Sequence, residues 1–265
     1  MPVIFLHIPK TAGTNIHNIL HREYRSEERF SFVSTRDEEK FVSLSESEKE
    51  KIEILIGHQN FGLHEHFKRP STYFSFMRNP VERIISAYYY YLNNPSFPAA
   101  IKMKENKINS LKEFVECGLF PMEDNMQTRF IGGGRDIAFG KCTDELFEKA
   151  ISNIEKYFSV VGTEEKYDES LLLLKNNYGW KKWPFYSRLN VNKKKPNISE
   201  FDLSTMNAIR NANLVDEKLY QYVKTRLNNQ ILEHENLLDK LLPRFRRLNK
   251  LYGGLVFIKR SLIGK

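Results

Sequence analysis

The stretch FLHIPKTAGTNIHNIL, residues 5–20, sets a lysine, two threonines and a glycine between an apolar run and a helical pattern. A loop leading from a strand into a helix presents backbone N–H groups with no intrahelical partner, and the helix dipole adds positive potential there. Phosphate-like anions are held well at such a point. Lys10 adds a point charge on a flexible stem, Gly13 allows close backbone approach, and Thr14 adds a hydroxyl donor. Thr11, Ala12 and Asn15 complete the loop, and His7 before it is expected to be a buried hydrogen-bonding residue that shapes it. The phosphate loop of nucleoside triphosphatases runs GxxxxGK[ST], with the lysine after the last glycine. In HIPKTAGT the lysine comes three residues before the glycine, the first glycine is missing and no Walker B partner follows. Kinase chemistry with ATP and magnesium therefore fits poorly.

The elements that must position this loop are legible as short apolar runs. Residues 2–8 read as a buried strand, followed by a helix from Thr14 to about Tyr24. KIEILIGH and STYFSFMRNP are further β-rich runs, each stopping at a turn signal, and FSVVGTEE is a fourth. Pro80 suits the first turn of a helix, PVERIISAYYYYLNN, with Val81, Ile84, Ile85 and Tyr88 on one face. TDELFEKAISNIEKY reads as an amphipathic helix with Thr143 as N-cap, and YDESLLLLKNNYG as a helix ending on a C-cap glycine. Residues 27–51 read as a charged surface excursion, and residues 94–125, with three prolines, as the least regular part around one short helix, SLKEFVECG. Beyond residue 200 the pattern is helical. Strands alternating with helices give an α/β fold: a P-loop-like parallel sheet flanked by helices, with a helical C-terminal part. We expect one domain over residues 1–265, its cofactor-binding core at about 1–195 and the helical part at about 200–265.

Composition narrows the partner. The chain has 265 residues, ordinary hydrophobic and charged fractions, and a net charge of +8, which favours an anionic ligand. Two cysteines, Cys117 and Cys142, form no disulfide framework and read as reduced thiols. No stretch reaches the length of a membrane span. The tail LYGGLVFIKRSLIGK is apolar and basic together, so weak contact with a membrane surface is possible beside a docked or frayed terminal segment. His58, His64 and His66 match no familiar zinc ligand set, and no metal is expected.

HIPKTAGT resembles the 5'-phosphosulfate loop of sulfotransferases that use 3'-phosphoadenosine 5'-phosphosulfate (PAPS), most closely the carbohydrate branch that includes the heparan sulfate 2-O enzymes. FSFMRNPVERIISAYYYY carries the family's second block, and NMQTRFIGG, FSVVGTEEKYDESLLLL and LNVNKKKP extend the similarity over most of residues 2–195. Asn15 departs from the pattern, where the family more often has Ser or Thr. The resemblance implies PAPS as donor, PAP as product and Lys10 near the bridging oxygen. It also implies that Arg78 and Ser86 bind the 3'-phosphate, a role for which the arginine fork is suited. In that branch a Gly-His histidine after the second strand is the general base, here His58, and a near-neutral pKa suits it. Glu53 and Glu123 are the alternative bases. Arg129 either faces the ligand or pairs with a core carboxylate. Lys193 and Lys194 either close over the nucleotide or form a solvated basic face. The acceptor implied is a hydroxyl on a glycan or glycolipid, with no role for nucleic acid. The absence of an anchor and stem before the first strand points to a bacterial cytoplasmic enzyme. The rival readings are a non-catalytic binder of nucleotide or anionic glycan on the same fold and, less well fitted, a P-loop kinase.

Overall fold

The computed structural model describes residues 1–34, 36–59, 61–187, 196 and 198–263, with the backbone alone for residues 259–263. From the N-terminus, β1 (Val3–Leu6) leads into α1 (Gly13–Glu23), then β2 (Arg29–Phe32), α2 (Arg36–Ser43), α3 (Glu46–Lys49) and β3 (Ile54–Gly57). After β4 (Thr72–Met77) come α4 (Pro80–Asn93), α5 (Pro98–Glu105), α6 (Leu111–Glu116), α7 (Met126–Gly132) and α8 (Asp144–Tyr157). Then β5 (Phe158–Thr163) and α9 (Tyr167–Tyr178) precede α10 (Leu203–Ala212), α11 (Leu214–Glu233) and α12 (Glu235–Ile263). Among the described residues no helix is long and apolar enough to cross a membrane.

The strands form one parallel sheet in the order β2-β3-β1-β4-β5. The runs VIFL, ILIG and TYFSFM are apolar along nearly their whole length, and the strands they form are buried on both faces. That is the signature of central parallel strands covered by helices on either side. One face holds Ile4, Leu6, Leu55 and Tyr73 against Phe130 of α7, Ile154 of α8 and Leu219 and Val223 of α11. The other holds Val3, Phe5, Ile54 and Phe74 against Ile16 of α1, Leu172 of α9 and Leu238 and Phe245 of α12. A separate apolar cluster joins Ile84 and Tyr88 of α4 to Met103, Phe114 and Ile209 from α5, α6 and α10.

Two expectations change. Residues 27–51 are not an excursion alone: they contain β2, α2 and α3. β2 is a four-residue edge strand in which only Phe32 is buried, so its alternation is too short to stand out from the charges around it. It takes its place from pairing with β3, Arg29 opposite Ile54 and Phe32 opposite Gly57. Residues 94–125 are more regular than their prolines suggest. Pro98 opens α5, where a missing N–H costs nothing, and Ser110 and Glu113 form a capping box on α6. Thr143 stands at the head of α8 as expected, although its side chain makes no capping bond.

Asp216 ties α11 to the rest. Fully buried, its carboxylate accepts from the backbone N–H groups of Gln127 and Thr128 and from the Thr128 hydroxyl, at 2.7 to 3.1 Å. It thereby satisfies donors at the start of α7. Asp216→Ala leaves those donors buried and unpaired, so we predict a loss of about 3 kcal/mol in unfolding free energy, read by urea titration. A loss within error of zero would contradict this role.

Candidate functional site

In a parallel sheet all strands end on one edge. Here β1 delivers the 7–15 loop, β3 delivers His58, β4 delivers Arg78 and β5 delivers Glu164 to that edge. The chain leaves β1 towards β2 and later returns past it to β4, which makes the C-terminal end of β1 the switch point where open α/β sheets bind ligands.

The loop itself is strained in an unexpected place. Lys10 and Ala12 hold left-handed φ values of 70° and 63°, a conformation costing about 1–2 kcal/mol for a residue with a Cβ. Gly13 does not; it lies in the first turn of α1, and its need is space. A Cβ there would sit 1.7 Å from His7 Nε2. Thr11 is buried and donates its hydroxyl inward to the Ile8 carbonyl at 2.8 Å, so only its backbone N–H is left to face a ligand. Thr14 is exposed at the start of α1, Asn15 is half-buried beside it, and no side chain caps the helix. The first turn of α1 contains no acidic residue. Left-handed turns and an uncapped helix start together present N–H groups to an anion.

Lys10 lies 3.8 Å above the centre of the Tyr90 ring on α4. Burial, then the charge of Arg78, lowers its pKa to about 8, with Glu123 opposing and Arg83 adding to the fall. His58 is exposed at the end of β3, and its Nδ1 lies 2.7 Å from the His7 carbonyl oxygen. A carbonyl only accepts, so Nδ1 carries the proton and Nε2 keeps its lone pair. Crowding by surrounding protein lowers the His58 pKa; the bond to His7 opposes this and Arg135 adds to it. Gly57 makes this exit from the sheet possible. Its φ is +147°, and a Cβ would meet the Phe32 carbonyl of β2 at 2.4 Å. His7, the buried residue foreseen before the loop, stacks on His58 with ring centres 4.1 Å apart and bonds through Nδ1 to His17 Nε2 at 3.0 Å.

Across from the loop, Glu82, Ser86 and Tyr90 follow one another at i, i+4 and i+8 along α4. Arg78 reaches Glu82 at 2.9 Å and Lys10 rests on Tyr90, so the half-buried Ser86 lies between the two cations on the same helix face. The Arg78 guanidinium also meets Glu164 at 2.7 Å. Any anion that bound Arg78 would have to displace these carboxylates. Gln127 fixes the Arg78 backbone: the Arg78 N–H donates to its Oε1 at 2.9 Å, and its Nε2 donates to the Arg78 carbonyl at 3.0 Å. A cavity of about 330 Å3 runs along α1 between Asn15, Asn18 and Arg22 and the side chains of Tyr186, Tyr252 and Val256.

Other candidates fall away from this edge or are engaged elsewhere. Glu53 lies before β3, at the opposite edge of the sheet from His58, and pairs with Arg69 at 3.1 Å. Glu123 is buried, held by Arg83 at 3.0 Å and by the Tyr91 hydroxyl at 2.7 Å, which leaves no free carboxylate to act as a base. Arg129 takes the second of its two readings: it is fully buried, paired with Asp124 at 2.7 Å and bonded to the carbonyls of Gly134, Ile137 and Ala138. Lys193 and Lys194 lie outside the described residues. Sequence reasoning missed Tyr90, Gln127 and Arg135, whose guanidinium donates to the His58 carbonyl at 2.9 Å. Only Tyr90 left a signal, its helical spacing from Ser86.

A comparison with curated proteins finds no match. A family model described as galactose-3-O-sulfotransferase matches residues 1–242, which include the loop, His58, Arg78 and Ser86. The parallel sheet flanked by helices agrees with an α/β sulfotransferase fold. The chain belongs to the galactose-3-O-sulfotransferase family, and so among the carbohydrate sulfotransferases.

Proposed function

We propose that the protein transfers a sulfuryl group from PAPS to a sugar hydroxyl, with His58 as general base. The observation that carries this reading is the double use of His7. Its ring packs under the anion-binding loop at Gly13, while its carbonyl fixes the tautomer in which His58 Nε2 is free to take a proton.

The loop N–H groups of residues 11–15 and the Lys10 ammonium receive the 5'-phosphosulfate, and Arg78 and Ser86 the 3'-phosphate. The cavity along α1 receives the nucleoside, which Lys193 and Lys194 would close over. PAPS supplies an activated sulfuryl group. The acceptor oxygen forms a bond to sulfur as the bond from sulfur to the 5'-phosphate oxygen breaks, and the hydroxyl proton passes to His58 Nε2. PAP leaves with the electron pair, its new charge met by Lys10 and the loop amides. The positive charge this needs is present in side chains, so the step calls for no metal. The family match supports a carbohydrate acceptor without favouring the heparan sulfate 2-O branch, and the 3-hydroxyl of a terminal galactose on a glycan or glycolipid is the acceptor we infer. The unpaired thiols of Cys117 and Cys142 are compatible with the reducing compartment we infer.

Incubation with PAPS and a β-galactoside should yield the sulfated sugar and PAP in equal amounts. PAP binding with no sulfated product from any sugar offered would support the non-catalytic reading instead. His58→Ala should lower kcat by about 10²–10⁴ with PAP affinity unchanged. Arg78→Ala should weaken PAP binding by about 1.5–3 kcal/mol, the worth of a charged hydrogen bond. Wild-type turnover in His58→Ala would remove the base while leaving the donor assignment standing.

The rate should depend on pH through both groups. His58 works unprotonated and its pKa is lowered, so kcat/KM should fall on the acid side only below the ordinary histidine value. Lys10 works protonated, so kcat/KM should fall on the alkaline side near pH 8 in the free enzyme. Lys10→Arg should move the alkaline limb outward. A profile that this variant leaves unmoved would exclude Lys10 as its origin.

A further inference from the structure

The charge of the chain is not spread evenly. Residues 240–265 hold eight of the 41 Lys and Arg and none of the 33 Asp and Glu, so residues 1–239 carry 33 of each sign. The whole net charge of +8 therefore resides in α12 from Lys240 onward and the residues after it. That stretch also exposes apolar side chains: Leu251, Leu255 and Ile258 are 62%, 67% and 56% exposed.

The two faces of α12 differ. Phe245, Asn249, Tyr252 and Val256 recur at i, i+4, i+7 and i+11 and face the body. Phe245 is buried against Trp183 and Phe185, Asn249 accepts from the Tyr186 N–H at 2.8 Å, Tyr252 accepts from Arg22 at 2.7 Å, and Val256 walls the cavity along α1. Arg247, Leu251, Leu255 and Ile258 recur at i, i+4, i+8 and i+11, all exposed, on the side turned away. This outward stripe is too short and too charged to span a bilayer.

We infer that the outward face of the last turns of α12 docks onto an anionic lipid surface, Leu251, Leu255 and Ile258 entering the headgroup boundary and the basic residues pairing with the lipid charge. Apolar residues on one helix face with lysine and arginine around them, and no acidic residue, are what an interfacial helix requires. A second copy of the chain is a poor occupant, because two such tails would bring their excess cations together. A dissolved anionic polymer would use the cations and leave the apolar stripe without a role. The inference does not depend on the sulfotransferase reading, and docking would hold the wall of the cavity beside α1.

The test is co-sedimentation of the full chain with vesicles of equal parts phosphatidylcholine and phosphatidylglycerol, against vesicles of phosphatidylcholine alone. The account predicts binding to the anionic vesicles, weak or no binding to the neutral ones, and weakening as salt is raised. Replacing Leu251, Leu255 and Ile258 together by Ser should lower the vesicle affinity about tenfold or more, with the thermal melt unchanged because all three are exposed. In a Leu255→Trp variant the indole emission should shift to the blue on adding anionic vesicles, which reads insertion without relying on the triple variant. No binding, equal binding to neutral vesicles, unchanged binding in the Ser variant, or an indole that stays in water would each overturn the proposal. So would a concentration-dependent dimer that the Ser substitutions abolish while vesicle binding is absent.

Discussion

The imidazole of His7 is the wedge around which the site is assembled. Its backbone N–H donates to the Gly57 carbonyl at 2.9 Å, its carbonyl accepts from His58, its ring stacks on His58 and Phe5, and its Nδ1 is bonded to His17 on α1. Its Nε2 edge presses on Gly13 so closely that no side chain fits there. One residue at the end of β1 thus sets the position of the first turn of α1, the exit of β3 and the tautomer of the proposed base. Burial, then the charges of His58, His17 and Lys10, hold His7 well below the usual histidine pKa, which keeps this wedge neutral. A cation there would repel both Lys10 and a protonated His58.

Electrostatics at the strand ends follow a second constraint, the crowding of Lys10, Arg78, Arg83 and Arg135 towards one edge. Without an anion each needs an internal partner: Glu82 and Glu164 lie on Arg78, Glu123 on Arg83, and the His58 carbonyl and the Phe130 ring on Arg135. Lys10 rests on an aromatic face and has a lowered pKa. Arg78, held by the half-exposed carboxylates of Glu82 and Glu164, and Lys10, held by a ring, are well suited to exchanging those partners for anion oxygens, because the exchange leaves no buried charge unpaired. The buried Arg83–Glu123 pair stays closed.

Much of this was legible in the sequence because each piece has a local cause. The buried strands are continuous apolar runs, the helix after Arg78 announces itself with Asn79-Pro80, and the loop combines a lysine, a glycine and hydroxyls in eight residues. What was hidden depends on contacts distant in sequence. β2 exists because β3 offers an edge to Arg29–Phe32, and nothing in RFSF alone says so. The reason for Gly13 is a ring six residues earlier rather than its own backbone freedom. Within NMQTRF the arginine drew attention by its charge, yet Gln127 holds the Arg78 backbone while Arg129 is spent on Asp124 and three carbonyls. Side-chain types show what a residue can do; only the packing shows which of its partners it has.

The central proposal is that the loop after β1, together with Arg78 and Ser86, binds a nucleotide bearing both a 5' and a 3' phosphate. Titration calorimetry of the purified chain with PAP, and separately with ATP and magnesium, tests it most directly. The account predicts saturable binding of one PAP per chain and no heat beyond dilution with ATP and magnesium. Saturable ATP binding with PAP ignored would contradict it and return the loop to the kinases.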